Sequence, residues 1–179
     1  AHRQNGVKKL VGSPSELKFG TDGWRAKIAG EYTFANVRRV AQGIATFATE
    51  HWEIEGGLLV GYDRRFGSEQ FARTVCEVFA ANGIKSYLTT QPTPTPAIAY
   101  MISGVGAAGG VIVTASHNPP SDNGIKVRTG TGAAVAPENL AKIEAAVPSQ
   151  SEFIKTMPYD AALEQGLIEA LDARSPYLQ

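Results

Sequence analysis

Along the chain the apolar positions change period several times, and each change predicts an element. From Thr33 onward, Phe34, Val37, Val40, Ala41, Ile44, Phe47 and Ala48 recur at steps of three and four, which is one face of a helix. GGLLVGYD (56–63) is instead a short continuous apolar run ending in an aspartate, and it reads as a buried strand feeding a loop. SEQFARTVCEVFAANG (68–83) returns to helical spacing, with Phe71, Val75, Val78 and Phe79 as the inward stripe, Ser68 as N-cap and Asn82-Gly83 as the stop. IKSYLTT (84–90) predicts another strand. TPTP (93–96) then enforces extended backbone before a small apolar helix, AIAYMISG. GGVIVTA (109–115) is the next strand, with IKVRT (125–129) its partner across a polar loop, and PENLAKIEAAV (137–147) is a helix with Pro137 in its first turn.

The ends are less regular. ELKFGTDGWRAKIAG (16–30) reads as a short strand, a loop bracketed by Gly20 and Gly23, and a second strand beginning near Arg25. Residues 1–16 are polar and carry Gly6, Gly12 and Pro14, so a loose N-terminal arm is expected there. In the tail after Tyr159, Leu163, Leu167, Ile168 and Leu171 follow helical spacing, which predicts a C-terminal helix. Strands alternating with helices of these lengths imply an α/β fold, a three-layer α/β/α sandwich with a mixed, largely parallel sheet. In such folds ligands gather where strands end in loops.

Composition narrows the function classes. A chain of 179 residues with 43% hydrophobic content can bury a core in one domain. Seventeen basic residues balance seventeen acidic ones, which argues against broad electrostatic binding to nucleic acid or an anionic membrane. No apolar run reaches the length of a membrane span, and AHRQNGVKK lacks the apolar core of a signal peptide. Cys76 is the single cysteine, so no internal disulfide forms, and a reducing, cytoplasmic location is the expectation.

Three polar loops carry the candidate chemistry: FGTDGWR (19–25), GYDRRFGS (61–68) and TASHNPPSDNGIK (114–126). Read as following strands, they would converge at one edge of the sheet and bring together Ser116, His117, Lys126, Arg25, Arg64, Arg65, Asp22 and Asp63. One hydroxyl amid several cations suits phosphate, because arginine forks match phosphate oxygens and lysine supplies charge. Each residue also has an ordinary role: Ser116 as a turn former, Asn123-Gly124 as a hairpin signal, Arg64-Arg65 as a solvated pair, Cys76 as core. The serine lacks the Gly-x-Ser-x-Gly elbow of a hydrolase, and there is no Gly-x-x-x-x-Gly-Lys-Ser/Thr phosphate loop. The histidines at 2, 51 and 117 and Cys76 have no zinc-ligand spacing.

Taken together, KFGTDGWRAKI (18–28), GYDRRFGS (61–68), PTPTPAIAY (92–100) and TASHNPPSDNGIK (114–126) resemble the N-terminal domain of the α-D-phosphohexomutases, the phosphoglucomutases and phosphomannomutases. The resemblance implies that Ser116 is a phosphoserine that exchanges its phosphoryl group with a hexose phosphate through a bisphosphorylated sugar such as glucose 1,6-bisphosphate. It places Lys126 and His117 as movers of the hydroxyl proton or holders of phosphate oxygens, and Arg25 beside the same phosphate. Thr21, Arg64 and Asn118 are expected to bind substrate phosphate, and Asp63 and Gly124 to support the serine loop. Mg²⁺ is implied in the complete enzyme, with only the Ser116 phosphate contributing a ligand from this chain, which has no Asp-x-Asp. On this resemblance residues 17–150 form the first domain, and 151–179 form a C-terminal helix and the start of a connection to further domains. The isolated chain is then expected to be inactive, with hexose phosphate and the remaining domains as its partners and no nucleic acid or membrane. The Thr-Ala before Ser-His-Asn-Pro resembles the glucose/mannose branch, whereas VRTGTGAAV after Lys126 departs from the usual continuation. The alternative reading is a non-catalytic sugar-phosphate-binding or interaction module with the same fold.

Overall fold

The computed structural model describes residues 17–173 together with 175 and 176. The arm expected over 1–16 lies outside the described residues, as do the last three positions of the tail. Among the described residues twelve elements follow in order, of which six are strands: β1 (Trp24–Lys27), α1 (Phe34–His51), a single 3₁₀ turn (Ile54–Gly56), β2 (Leu58–Tyr62), α2 (Ser68–Ala81), β3 (Ser86–Thr89), α3 (Thr95–Gly104), β4 (Gly109–Val113), β5 (Asp122–Thr129), α4 (Pro137–Ala145), α5 (Tyr159–Glu164) and β6 (Ile168–Leu171). The strands form one sheet in the order β1-β5-β4-β2-β3-β6. Pairings β4–β2, β2–β3 and β3–β6 are parallel, and β5 alone runs against its neighbours.

Two apolar layers explain the sandwich. One face of the sheet, through Leu58, Val60, Val111, Val113 and Val127, packs against α1, α2, α4 and α5. The other face, through Leu59 and Ile112, packs against Ile98, Met101 and Ile102 of α3. Both faces of β2 and β4 are covered, so all five residues of each are buried, which is why those segments are continuously apolar rather than alternating. Glycines let α3 come close. A Cβ on Gly61 would lie 2.4 Å from Ile98 Cδ1, and one on Gly110 would lie 2.6 Å from Ile102 Cδ1. Among the described residues no helix is long and apolar enough to cross a membrane.

The expected three-layer fold and mixed, largely parallel sheet are observed, but four local readings are corrected. Residues 17–19 form no strand; Gly20 and Gly23 instead close a tight turn, with Gly20 N donating to Gly23 O at 2.8 Å. Ser68 is not the N-cap of α2: Gly67, with φ +73°, holds that place, and the Ser68 hydroxyl serves the adjoining loop. Asn123-Gly124 forms no hairpin turn, because both residues lie inside β5, opposite Ala26 and Arg25 of β1. The tail is not one helix. Gly166, at φ +70°, follows α5, and Ile168–Leu171 then pairs in parallel with β3 as a sixth strand. A four-residue segment with one buried position satisfies helical and extended spacing alike, so only the open edge of β3 decides between them.

Candidate active site

β2 and β4 run parallel, so the loops that leave them, 63–67 and 114–121, emerge at the same edge of the sheet. β5 starts there in the opposite direction, and β1, antiparallel to β5, ends there. Two of the three expected loops therefore meet. The third, FGTDG, precedes β1 and lies at that strand's other end. It bears on the site through Asp22, whose carboxylate lies 2.9 Å from Lys126 Nζ, and through Arg25 in the strand that follows.

Ser116 is exposed at the tip of the loop after β4. Its φ is +53°, and Ala29 is the only other non-glycine residue with positive φ among the described residues. A side-chain-bearing residue in this conformation is disfavoured by about 1 kcal/mol or more, so the surroundings must hold it. Local bonds do part of this. Ser116 N donates to Thr114 Oγ1 at 3.0 Å, Asn118 N to Ala115 O, and Asp122 N to Pro119 O. Pro119 and Pro120 contribute no N–H, which leaves the loop short of donors for its carbonyls.

The missing donors come from Arg65. Its Nη2 donates to the carbonyls of Ser116 and Asn118, both at 2.7 Å, and its Nη1 to those of Pro119 at 2.7 Å and Asp122 at 3.0 Å. Asp63 anchors this arginine: its carboxylate lies 3.4 Å from Arg65 Nε and accepts from Arg65 N and from the Ser68 hydroxyl, both at 2.9 Å. Ser68 Oγ in turn accepts from Asn123 Nδ2 at 2.9 Å, which ties the start of α2 to β5. Asp63 thus holds the arginine that binds the loop's carbonyls. Sequence reasoning saw Arg65 only as one of a pair of cations; no pattern in GYDRRFGS says which arginine turns toward the loop.

Arg25 and Lys126 share one face of the sheet. Arg25 stands opposite Gly124 in the β1–β5 register, and Gly124 and Lys126 are two apart on β5. Gly124 leaves the space over which Arg25 leans: a Cβ there would lie 2.9 Å from Arg25 Cγ and 2.7 Å from the Thr114 and Trp24 carbonyl oxygens. Arg25 Nη1 then donates to Asn118 Oδ1 at 3.1 Å, while Asn118 Nδ2 donates to Asp122 Oδ2 at 3.1 Å. The Tyr32 hydroxyl, buried and stacked on Trp24, donates to Gly124 O at 3.0 Å and holds β5 from below. Burial, and secondly the charge of Asp63, push that hydroxyl's pKa well above its ordinary value, so it remains a donor.

Lys126 is largely buried. Its Nζ lies 2.9 Å from Asp22 Oδ2, and Arg128 Nη1 lies 2.7 Å from the other oxygen. Partial burial alone would raise the pKa of Asp22, but hydrogen bonds and charge from Arg128 and Lys126 outweigh it and hold the carboxyl below the usual range. A depressed folded-state pKa gives stability that is present above the ordinary carboxylate value and is lost as pH falls through the folded one. Asp22→Asn is therefore expected to destabilise the chain at neutral pH, with the gap to wild type closing as pH falls below about 4. Urea unfolding at several pH values checks this; a gap independent of pH would overturn it.

The remaining candidates fall in different places. His117 is exposed beside Ser116, with no hydrogen bond from its ring among the described residues. Arg64 is exposed and lines an open depression with Tyr62, Glu69 and Pro92. Thr21 is exposed and lines a cleft of about 410 Å³ with Phe19, Pro137 and Leu140. Asn118 acts inside the loop, joining Arg25 to it. Among the described residues no group of three or more His, Cys, Asp or Glu side chains could hold a metal ion.

Fold and loop together define an α/β/α domain that presents one serine at the carboxyl edge of its sheet. Residues 16–153 match the family model described as phosphoglucomutase/phosphomannomutase, alpha/beta/alpha domain I, and the chain belongs to that family. It is 36% identical over 159 residues to a phosphoglucosamine mutase of Synechococcus sp. (strain CC9902), across 89% of this chain and 32% of that one. It is 44% identical over 94 residues to a probable phosphomannomutase of Haemophilus influenzae, across 52% of this chain and 19% of that one. A crystal structure of a putative phosphomannomutase from Thermus thermophilus superposes with a TM-score of 0.80 at 35% identity, covering 92% of this chain and 35% of that one. The chain thus spans about a third or less of the length of these relatives.

Proposed function

We propose that this chain is the phosphoserine domain of a sugar-phosphate mutase and that Ser116 is its phosphoryl carrier. One observation carries the reading. The Ser116 hydroxyl is exposed on a loop that four arginine hydrogen bonds hold in a disfavoured backbone conformation, at the edge where parallel strands end. A residue serving only as a turn would need no such support.

In the proposed reaction a hydroxyl oxygen of a hexose phosphate attacks the phosphorus of phosphoserine. The Ser116 Oγ–P bond breaks, the sugar hydroxyl gives up its proton, and a hexose bisphosphate forms. The bisphosphate turns over and returns its other phosphoryl group to Oγ, so phosphate moves between C1 and C6. Transfer of this kind depends on alignment and charge neutralisation more than on a strong nucleophile. His117, exposed beside Ser116, is suited to carry the proton. Lys126, held by Asp22, is suited to meet phosphate charge, and Arg25 reaches the same loop through Asn118. A phosphate on Ser116 would supply this chain's ligand to a Mg²⁺ ion, which would neutralise part of the phosphoryl charge. The matched length supports a catalyst completed by further domains, so the chain alone should show little turnover. The relatives are named for different sugars, and glucose phosphates are the first substrates to test.

Incubation with glucose 1,6-bisphosphate followed by intact-mass measurement and peptide mapping tests the assignment. One phosphoryl group on Ser116 is the expected result. Labelling at another residue, or none where a related mutase is labelled in parallel, would sink it.

A further inference from the structure

Arg65 is a cation one loop away from the proposed phosphoryl carrier, and its charge suggests a phosphate ligand. Its hydrogen bonds say otherwise. A guanidinium has five N–H donors and no acceptor. Here the two on Nη1 go to the Pro119 and Asp122 carbonyls, the two on Nη2 go to the Ser116 and Asn118 carbonyls, and Nε faces the Asp63 carboxylate at 3.4 Å. Four donors are taken by carbonyls, the fifth is turned to a carboxylate, and the side chain is only 13% exposed. Neither Nη1 nor Nη2 has an N–H left for a phosphate oxygen unless the loop is first released.

Resting on the reading of Ser116 as carrier, we infer that Arg65 is a positioning residue, the latch that sets where the serine oxygen stands, and that it does not bind substrate phosphate. The carbonyl of Ser116 is itself one of the four latched groups, so the bond acts on the residue whose φ is +53°. The latch reaches both ends of the segment, from Ser116 to Asp122, and the intervening Pro119-Pro120 has no N–H with which to close the loop by itself. Asp63 fixes the guanidinium from β2's end, and Ser68 and Asn123 continue the network to α2 and β5. The serine is therefore referenced to three elements of the scaffold through one side chain. Arg64, its neighbour in sequence, is exposed and has no part in the latch.

Arg65→Lys keeps the positive charge but offers one ammonium in place of a planar fork, so it can meet only some of the four carbonyls. Displacement of a reacting atom by about 1 Å lowers turnover by on the order of 100-fold. The expected result for Arg65→Lys in the complete polypeptide is a kcat reduced about 100-fold with KM for the sugar phosphate changed less than about 3-fold. Amide hydrogen exchange should quicken at Asn118 and Asp122 while β2 and β4 keep their protection. A rise in KM with kcat preserved would make Arg65 a phosphate ligand and overturn the inference, as would an unchanged kcat. Loss of protection throughout the sheet would overturn it too, because Arg65 would then be a support of the fold rather than of the loop. Exchange at Asn118 and Asp122 is read without any chemistry, so it judges the latch even where Ser116 is shown not to accept phosphate.

Discussion

Ser116→Ala in the complete polypeptide is expected to lower mutase turnover by a factor on the order of 10⁴ or more, because it would remove the atom proposed to hold the phosphoryl group between the two half-reactions. The loss should be chemical rather than structural. Ser116 is exposed, and the hydrogen bonds that fix it run through the backbone N–H and C=O, which alanine retains. Surface substitutions of that kind usually change stability by no more than about 0.5 kcal/mol. A coupled assay, read beside a urea unfolding curve, separates the two effects. Near-normal turnover in a folded variant would mean that the carrier is another group.

The largest expected effect on stability is far from the serine in sequence, at Gly23. Its φ is +101°, a backbone conformation in which side chains are strained. A Cβ there would lie 2.1 Å from Ile125 O and 3.0 Å from Lys126 Cα, both main-chain atoms that no rotamer change can move. Gly23→Ala should destabilise the domain by roughly 3 kcal/mol or more, the sum of backbone strain and a clash that separates β1 from β5. Gly83→Ala is the control. That glycine also has positive φ, +73°, but nothing lies within 4 Å of a Cβ. It should lose only about 1 kcal/mol. The midpoint of urea unfolding measures both, and equal effects at the two sites would show that the clash is relieved without loss. Gly23→Ala should also loosen Arg25, since the β1–β5 register is what sets Arg25 opposite Gly124.

Residue type alone does not say whether a polar side chain serves its own segment or a distant one. Ser68 and Asn123-Gly124 carry the residue types of a cap and a turn, yet Asn123 donates to the Ser68 hydroxyl and Gly124 O accepts from the Tyr32 hydroxyl, which joins separate parts of the chain. The GTDG segment resembles a loop that follows a strand, but it precedes β1, and it bears on the site through the Asp22 carboxylate beside Lys126. Arg64 and Arg65 are identical in type and adjacent. Only the path of the chain leaving β2 turns one to solvent and the other onto four carbonyls.

Periodicity determined the helices and the two buried central strands, because burial on one face or on both leaves a mark at every residue of an element. It likewise determined the layered class, and the four motif blocks determined the family, since those residues stand at fixed offsets along a single chain. Tertiary structure alone decided that the tail supplies a sixth strand, that Arg25 and Lys126 share a face, and that Arg65 latches the serine loop. Each of these depends on strand register or on the unmet hydrogen-bonding capacity of a distant segment, quantities that exist only once separate elements are packed together.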